Sequence, residues 1–331
     1  MTEAGLVVNM VDRTRDACLY ACLAKEEIAI MSEVTIVADF GDLCGECPVW
    51  NVESSALEWI DCVGEKLLQL QWPSRQSVIK KCGIAISGFR RNRLGGYVIT
   101  NSRGVWLWDG AEKLSSVVSE VDGRPCQVND CVAESVGRLI TATYFYDPAG
   151  EYRLGSLISV STDGTVDVLD EGFHLANGLG FSPDERTLYF TDSVARRIYS
   201  YDYDVCNGTV RNRRVLVEVS REEGLPDGLA VDAEGHIWSA QWYGGCIVQY
   251  DPDGKIMQRV RVPAKQTSSL AFGGPDVTDI FVTSAAQSEA MPVMPPGYDP
   301  KSGNFGGALY HVNLGLAGQP QHPANIRLME T

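Results

Sequence analysis

The sequence predicts an all-β protein: a six-bladed β-propeller with four-stranded blades around a central channel. Three observations carry this expectation. From Val34 onward, short apolar or alternating runs are separated by Gly, Asp, Asn and Pro, the pattern of strands joined by turns. One unit recurs along the chain: an apolar strand, a D-x-x-G-like turn and a second apolar strand. Its copies start near residues 48, 84, 131, 178, 228 and 269, and this spacing of 36 to 50 residues is the period of a propeller blade.

The copies justify themselves element by element. Residues 178–191 align with 228–240, each an apolar strand, a turn and a second apolar strand. Residues 131–142 match them, as does 269–272, which turns at Pro275-Asp276 and resumes at 280–283. Weaker copies open at Pro48-Val49-Trp50 and at Ile84-Ala85-Ile86. Third strands are read at 66–71, 104–108, 156–161, 197–202, 246–251 and 308–314, and fourth strands at 165–169, 215–219 and 256–262. The sixth copy lacks chain for a fourth strand. Residues 34–40, ahead of the first copy, are expected to supply it, so that the two chain ends pair and close the ring. Closure hides edges that would otherwise invite aggregation.

Composition narrows the function classes. The 331 residues carry 28 Lys and Arg against 43 Asp and Glu, a net charge of −15. Without a basic cluster, phosphate-backbone binding has no footing, and nucleic acid is not an expected partner. No apolar run reaches the roughly 18 residues of a membrane helix, so a membrane is not expected either. The ten cysteines include one C-x-x-C pair, Cys44 and Cys47, but no second pair or neighbouring His completes a zinc site. They read as reduced cysteines packed as small hydrophobes, which suits a reducing, cytoplasmic compartment. Residues 1–32 read as a leader or short helix. Asp12, Asp16 and the Lys25-Glu26-Glu27 run do not suit a secretion signal. Residues 33–331 form the expected propeller.

In a propeller the residue just before each innermost strand sits at the channel mouth. Those positions here are Glu46, Gly83, Asn129-Asp130, Asn177, Asp227 and Thr267-Ser268. Acids and amides meeting in a tunnel need a compensating partner, and a divalent cation is the natural one. Oxygen donors suit Ca²⁺ first, with Mg²⁺, Mn²⁺, Zn²⁺ or Fe²⁺ as alternatives. Asn177-Gly178 and Asp227-Gly228 also read as ordinary turn dipeptides, but turn chemistry does not require a shared phase of the repeat. Asp192 reads as a packing or supporting residue, and the four histidines, at 174, 236, 311 and 322, share no such phase. No G-x-S-x-G, Walker A or G-x-G-x-x-G run is present.

These residues carry a resemblance. The run 45–50 is similar to the G-E-G-P-x-W opening of the senescence marker protein, gluconolactonase and luciferin-regenerating enzyme family, with Cys47 at the second Gly. Further matches are Asn129-Asp130, Asn177-Gly178-Leu179, Thr191-Asp192-Ser193, Asp227-Gly228-Leu229 and Gly318-Gln319-Pro320, in order. The resemblance implies a six-bladed propeller of metal-dependent hydrolases acting mostly on sugar lactones. It implies metal ligands at Glu46, Asn177 and Asp227, with Asn129 near metal or substrate. The expected reaction is opening of an aldonolactone, with Asp227 as general base and Asn129 holding the developing oxyanion or a substrate hydroxyl. A non-catalytic Ca²⁺- or partner-binding propeller and a phosphotriester hydrolase are the alternatives at the same site. Many family members place Arg two residues before the Asn. Here Gln127 stands there, with Arg124 three residues earlier, which favours a neutral lactone over an acidic one.

Overall fold

The computed structural model describes residues 33–146, 152–287 and 293–328. The expected leader lies outside the described residues. Six four-stranded antiparallel sheets form the six blades. Their inner strands are Gly45–Asn51, Gly88–Arg91, Val128–Ala133, Ala176–Phe181, Leu225–Val231 and Thr267–Gly273. Each inner strand packs on the next, and the last packs back on the first, so the blades ring a channel. The sixth blade is completed from the N-terminal side: Thr35–Asp39 pairs antiparallel with Ala308–Asn313, Thr35 facing His311 and Asp39 facing Ala308. Ring closure through the chain ends is therefore as expected.

Position within the blade explains the residue patterns. The second strands Ala56–Asp61 and Asp279–Ser284 are buried at every residue, because neighbouring blades cover both faces. Fourth strands such as Ile256–Arg261 lie on the perimeter and are largely exposed. Between blades sit the fully buried Trp59, Trp238, Phe89, Phe190 and Phe281, each contributing about 1.5–3 kcal/mol of burial. One copy is displaced from its expected place. The second inner strand starts at Gly88, not near residue 84, because the turn after the outer strand Gln76–Cys82 runs longer. Gly83 lies in that turn, with φ of 71° and its N–H donating to Glu65 O at 2.8 Å, well away from the channel mouth.

The Asn-Gly and Asp-Gly dipeptides are not turns. Gly178 and Gly228 lie inside inner strands, where the next blade approaches too closely for a side chain. A Cβ on Gly178 would stand 2.4 Å from the backbone N of Leu229, and one on Gly228 would stand 2.1 Å from Ser269 Oγ. Close approach of neighbouring strands, rather than φ, selects glycine there.

The C-terminal segment crosses the far end of the channel. Gln319 Nε2 donates to Asp232 O at 3.0 Å and Phe181 O at 3.3 Å, and Gln321 Oε1 accepts from Trp50 N at 2.9 Å. Ala324 and Ile326 are buried against blade two, where Ile326 N–H donates to Asn92 Oδ1 at 3.0 Å. Among the described residues no helix is long and apolar enough to cross a membrane.

Gly178→Ala is expected to destabilise the fold by about 1–3 kcal/mol, since the obstacle, the Leu229 N–H, is backbone and cannot rotate away. Urea denaturation measures it; an unchanged midpoint would mean that the blades are not in close register at this point.

Candidate active site

Apart from Gly83, the residues expected at the channel mouth do gather there, but inside the inner strands rather than ahead of them. Five of the six inner strands break register with their neighbours early in their course. The breaks fall between Glu46 and Val49, Val128 and Cys131, Asn177 and Leu179, Pro226 and Leu229, and Thr267 and Leu270. The second blade pairs regularly from Gly88 to Arg91 and presents no acid or amide. A bulge leaves an extra residue and re-aims its side chain. In blades three and five the extra residues are Asn129-Asp130 and Asp227-Gly228, whereas in blades one and four Glu46 and Asn177 are the last paired residues before the break, so all four side chains stand at the same interruption of the ladder.

Hydrogen bonds fix the two amides in orientation. Ser193 Oγ donates its one proton to Pro226 O at 2.7 Å, so it accepts from Asn177 Nδ2 at 2.8 Å. Asn177 Oδ1 then accepts from Asn129 Nδ2 at 2.6 Å, and Asn129 Nδ2 also donates to Ala176 O at 2.9 Å. Both amide hydrogens of Asn129 are thereby used. The expected role of Asn129 as an oxyanion donor is corrected: what it offers the channel is Oδ1, an acceptor.

The carboxylates are raised in pKa by their surroundings. Burial holds Asp227 well above the usual carboxylate range, and the negative charge of Asp130 adds to it. Burial likewise raises Glu46 well above its ordinary value, with Asp227 and Asp130 adding like charge against the donation from Cys47 N–H. Asp130 is raised by burial too, against the pull of the Arg90 guanidinium. Among the described residues no three His, Cys, Asp or Glu side chains form a metal cluster by themselves. A cation here would draw on the amide oxygens as well as on Glu46 and Asp227. That donor set, all oxygen, with two acids lacking a cationic partner of their own, fits a hard divalent ion.

The other expected residues take varied places. Thr267 and Ser268 share the phase yet are spent on packing: Thr267 Oγ1 donates to Ala264 O at 3.1 Å and Ser268 Oγ to Gly45 O at 2.5 Å. Gln127 is half-buried at the mouth, its carbonyl accepting from Tyr144 N–H at 2.9 Å. Arg124 is exposed on a short hairpin, where it pairs with Val121. Asp192 organises its own turn, accepting from His174 N–H at 2.9 Å and Leu175 N–H at 3.2 Å. Histidines 174, 236, 311 and 322 pair with Asp192, Asp232, Asp279 and Glu185. A cavity of about 300 Å³ lies at the tail end between Phe181, Val231 and Gln319; Arg90 reaches it, but Glu46, Asn129, Asn177 and Asp227 do not line it. Sequence reasoning missed Ser193, although it ends the matched run Thr191-Asp192-Ser193, and it missed Arg90, which no repeat phase marks.

The family model described as the SMP-30/Gluconolactonase/LRE-like region matches residues 44–286, most of the chain. The chain belongs to this family. It is 36% identical over 307 residues to pentonolactonase XacC of Haloferax volcanii, covering 89% of this chain and 99% of the relative. It is 32% identical to regucalcin of Danio rerio, covering 73% of this chain and 82% of the relative. Among solved structures, a luciferin-regenerating enzyme superposes with a TM-score of 0.79 at 27% identity, over 89% of this chain and all of that one. The calcium-binding protein regucalcin of Agrobacterium tumefaciens superposes with a TM-score of 0.75 at 26% identity, over 90% and 98%. The family thus includes lactonases and a calcium-binding protein, on the same six-bladed propeller.

A raised folded-state pKa means that the folded chain binds the proton more tightly than the unfolded chain does. Stability is then highest below the unfolded value of about 4 and falls as pH rises through the folded value. In chelator-treated protein, Asp227→Asn is expected to raise the urea midpoint at pH 8 and to leave it nearly unchanged at pH 4. A variant that loses stability equally at both values would show that no like-charge strain exists.

Proposed function

We propose that the protein is a lactonase that hydrolyses a neutral sugar lactone at the channel mouth, with one divalent cation held by Glu46, Asn177 and Asp227. The supporting observation is a pair of uncompensated acids, Asp227 buried and Glu46 half-buried, beside two amides whose oxygens are fixed in direction. Calcium is the first choice, on the all-oxygen donor set. When bound, the cation would polarise the lactone carbonyl and offset the charge of the acids.

The chain's own residues supply the rest. Asp227, raised in pKa, takes a proton from water as the water oxygen attacks the carbonyl carbon. The ring C–O bond then breaks, and the ring oxygen leaves as an alcohol with the proton returned by Asp227. The product is the open hydroxy acid. Asn129 Oδ1 accepts from a substrate hydroxyl, which orients the ring. Gln127 brings one donor group and one acceptor without charge, so it matches a polyol and gives no ion pair to a second carboxylate. Ser193 acts through Asn177 by holding its amide in one orientation. The domain reading, a single propeller from residue 33 with a dispensable leader before it, is part of this proposal.

Chelation is expected to abolish hydrolysis of aldonolactones, and added Ca²⁺ or another divalent ion to restore it. Glu46→Gln, Asn177→Ala and Asp227→Asn each lose metal affinity and most activity while keeping the far-UV spectrum of the parent. Ser193→Ala weakens metal binding about 10–100-fold by freeing the Asn177 amide; titration calorimetry reads this directly. Full turnover in verified metal-free protein, or wild-type affinity in all four variants, would sink the reading. For substrate choice, Gln127→Ala is expected to raise KM for neutral lactones with metal affinity unchanged. A wild-type preference for acidic lactones would refute that assignment.

A further inference from the structure

Two thiols stand at the same mouth without a role in the reaction above. Cys44 and Cys62 flank the open end of the first hairpin of blade one, one step beyond the Gly45–Asp61 pair of the ladder. Cys62 N–H donates to Cys44 O at 2.9 Å, so the two residues face each other. Directly opposed residues of an antiparallel pair stand about 4.5–5.5 Å apart at Cα, within the roughly 4.4–6.8 Å that a disulfide spans. Both are free thiols and half-buried, open to a small oxidant, whereas Cys47, Cys126, Cys131 and Cys246 are buried and Cys82 and Cys206 are exposed.

The position of the pair gives it consequences. Cys44 lies two residues before Glu46. Cys62 is a neighbour of Glu46, Asp227 and Tyr144. The turn before Glu46 is held by Asp61, whose carboxylate accepts from Leu43 N–H and Cys44 N–H at 3.0 Å each. An S–S bond of about 2.05 Å would draw Cys44 toward Cys62 and shift the start of the Glu46 strand.

We propose that Cys44 and Cys62 form a reversible oxidation site whose disulfide weakens cation binding at the channel mouth. The consequence for the cation rests on the function proposed above; the disulfide itself does not. With hydrogen peroxide as oxidant, one thiolate attacks a peroxide oxygen, the O–O bond breaks, the sulfur becomes a sulfenic acid, and the departing hydroxide takes up the proton the thiol gave up and leaves as water. The second thiol then attacks that sulfur, the S–S bond forms and a second water leaves. The two sulfurs together give up two electrons and the peroxide takes them. A dithiol reductant reverses the change by thiol–disulfide exchange.

The test treats the purified full chain with hydrogen peroxide, alkylates the remaining thiols, and cleaves after the glutamates at 46, 53 and 58 that separate the two cysteines. A Cys44–Cys62 cross-linked peptide is expected, lost on treatment with dithiothreitol and missing from Cys44→Ser and Cys62→Ser. Ca²⁺ affinity by calorimetry is expected to drop about tenfold on oxidation of wild type, to recover on reduction, and to be insensitive to peroxide in both variants. Cross-links to other cysteines instead, or sulfinic acid without a disulfide, would overturn the site. A formed disulfide with unchanged Ca²⁺ affinity would overturn its coupling to the mouth. Reduced protein that binds no divalent ion would refute the proposed function, while the peptide map would still decide the oxidation site.

Discussion

The closeness of adjacent inner strands is the constraint on which the rest of this molecule depends. At Gly178 and Gly228 the next blade comes so near that a single methyl group would not fit. Six inner strands packed around an axis bring the side chains that point into it close together and bury them in part, Asp227 most of all. Charge placed there is therefore dear, and the chain places three carboxylates in it. Such an arrangement persists only if the packing of the blades is strong enough to carry it. The buried aromatic side chains between blades, Trp59, Trp238 and Phe281 among them, supply that strength away from the axis.

The bulges translate this architecture into a site. A regular strand would send alternate residues to either face of its sheet and only occasionally toward the axis. By slipping register at the same phase in five blades, the chain repeats one device with different side chains. Blades one and five carry the acids Glu46 and Asp227, blade three carries both Asn129 and Asp130, blade four carries Asn177, and blade six, at Thr267 and Ser268, is filled by internal hydrogen bonds. The sixth blade in the comparison, blade two, keeps a regular ladder and contributes Arg90 instead. A repeat fold thus builds an asymmetric centre without any loop dedicated to it.

Much of this was legible beforehand, for identifiable reasons. Blade count, strand order and closure by residues 35–39 follow from a periodic apolar pattern, which depends on burial and is written locally. The convergence of Glu46, Asn129, Asn177 and Asp227 was legible because all four share a repeat phase. What could not be read was anything set by contact between blades. Asn177-Gly178 looks like a turn dipeptide in isolation; only the proximity of Leu229 shows why the glycine is there. Asn129 looked like a donor until both its hydrogens were found engaged with Ala176 and Asn177. The misplaced second blade reflects a weak pattern: Ile84-Ala85-Ile86 is apolar enough to pass for a strand, yet pairing starts only at Gly88. The family resemblance supplied the ligand set that phase alone left open.

Cys47 shows how one departure from the family's opening motif bears on the charge of the whole centre. Glycine adopts a positive φ freely, whereas Cys47 holds φ of 47°, at a cost of about 1–2 kcal/mol for a residue with a Cβ. Its sulfur offsets part of that strain by accepting from Phe89 N–H at 3.4 Å and from Arg90 Nη1 at 3.3 Å. Arg90 Nη1 also donates to Phe89 O at 2.7 Å, so the guanidinium is pinned between the first and second blades, close enough to pull on Asp130. That leaves the three acids unequally served. Asp130 has a cation of the chain's own, while Glu46 and Asp227 have none, and two uncompensated negative charges are what a divalent ion neutralises.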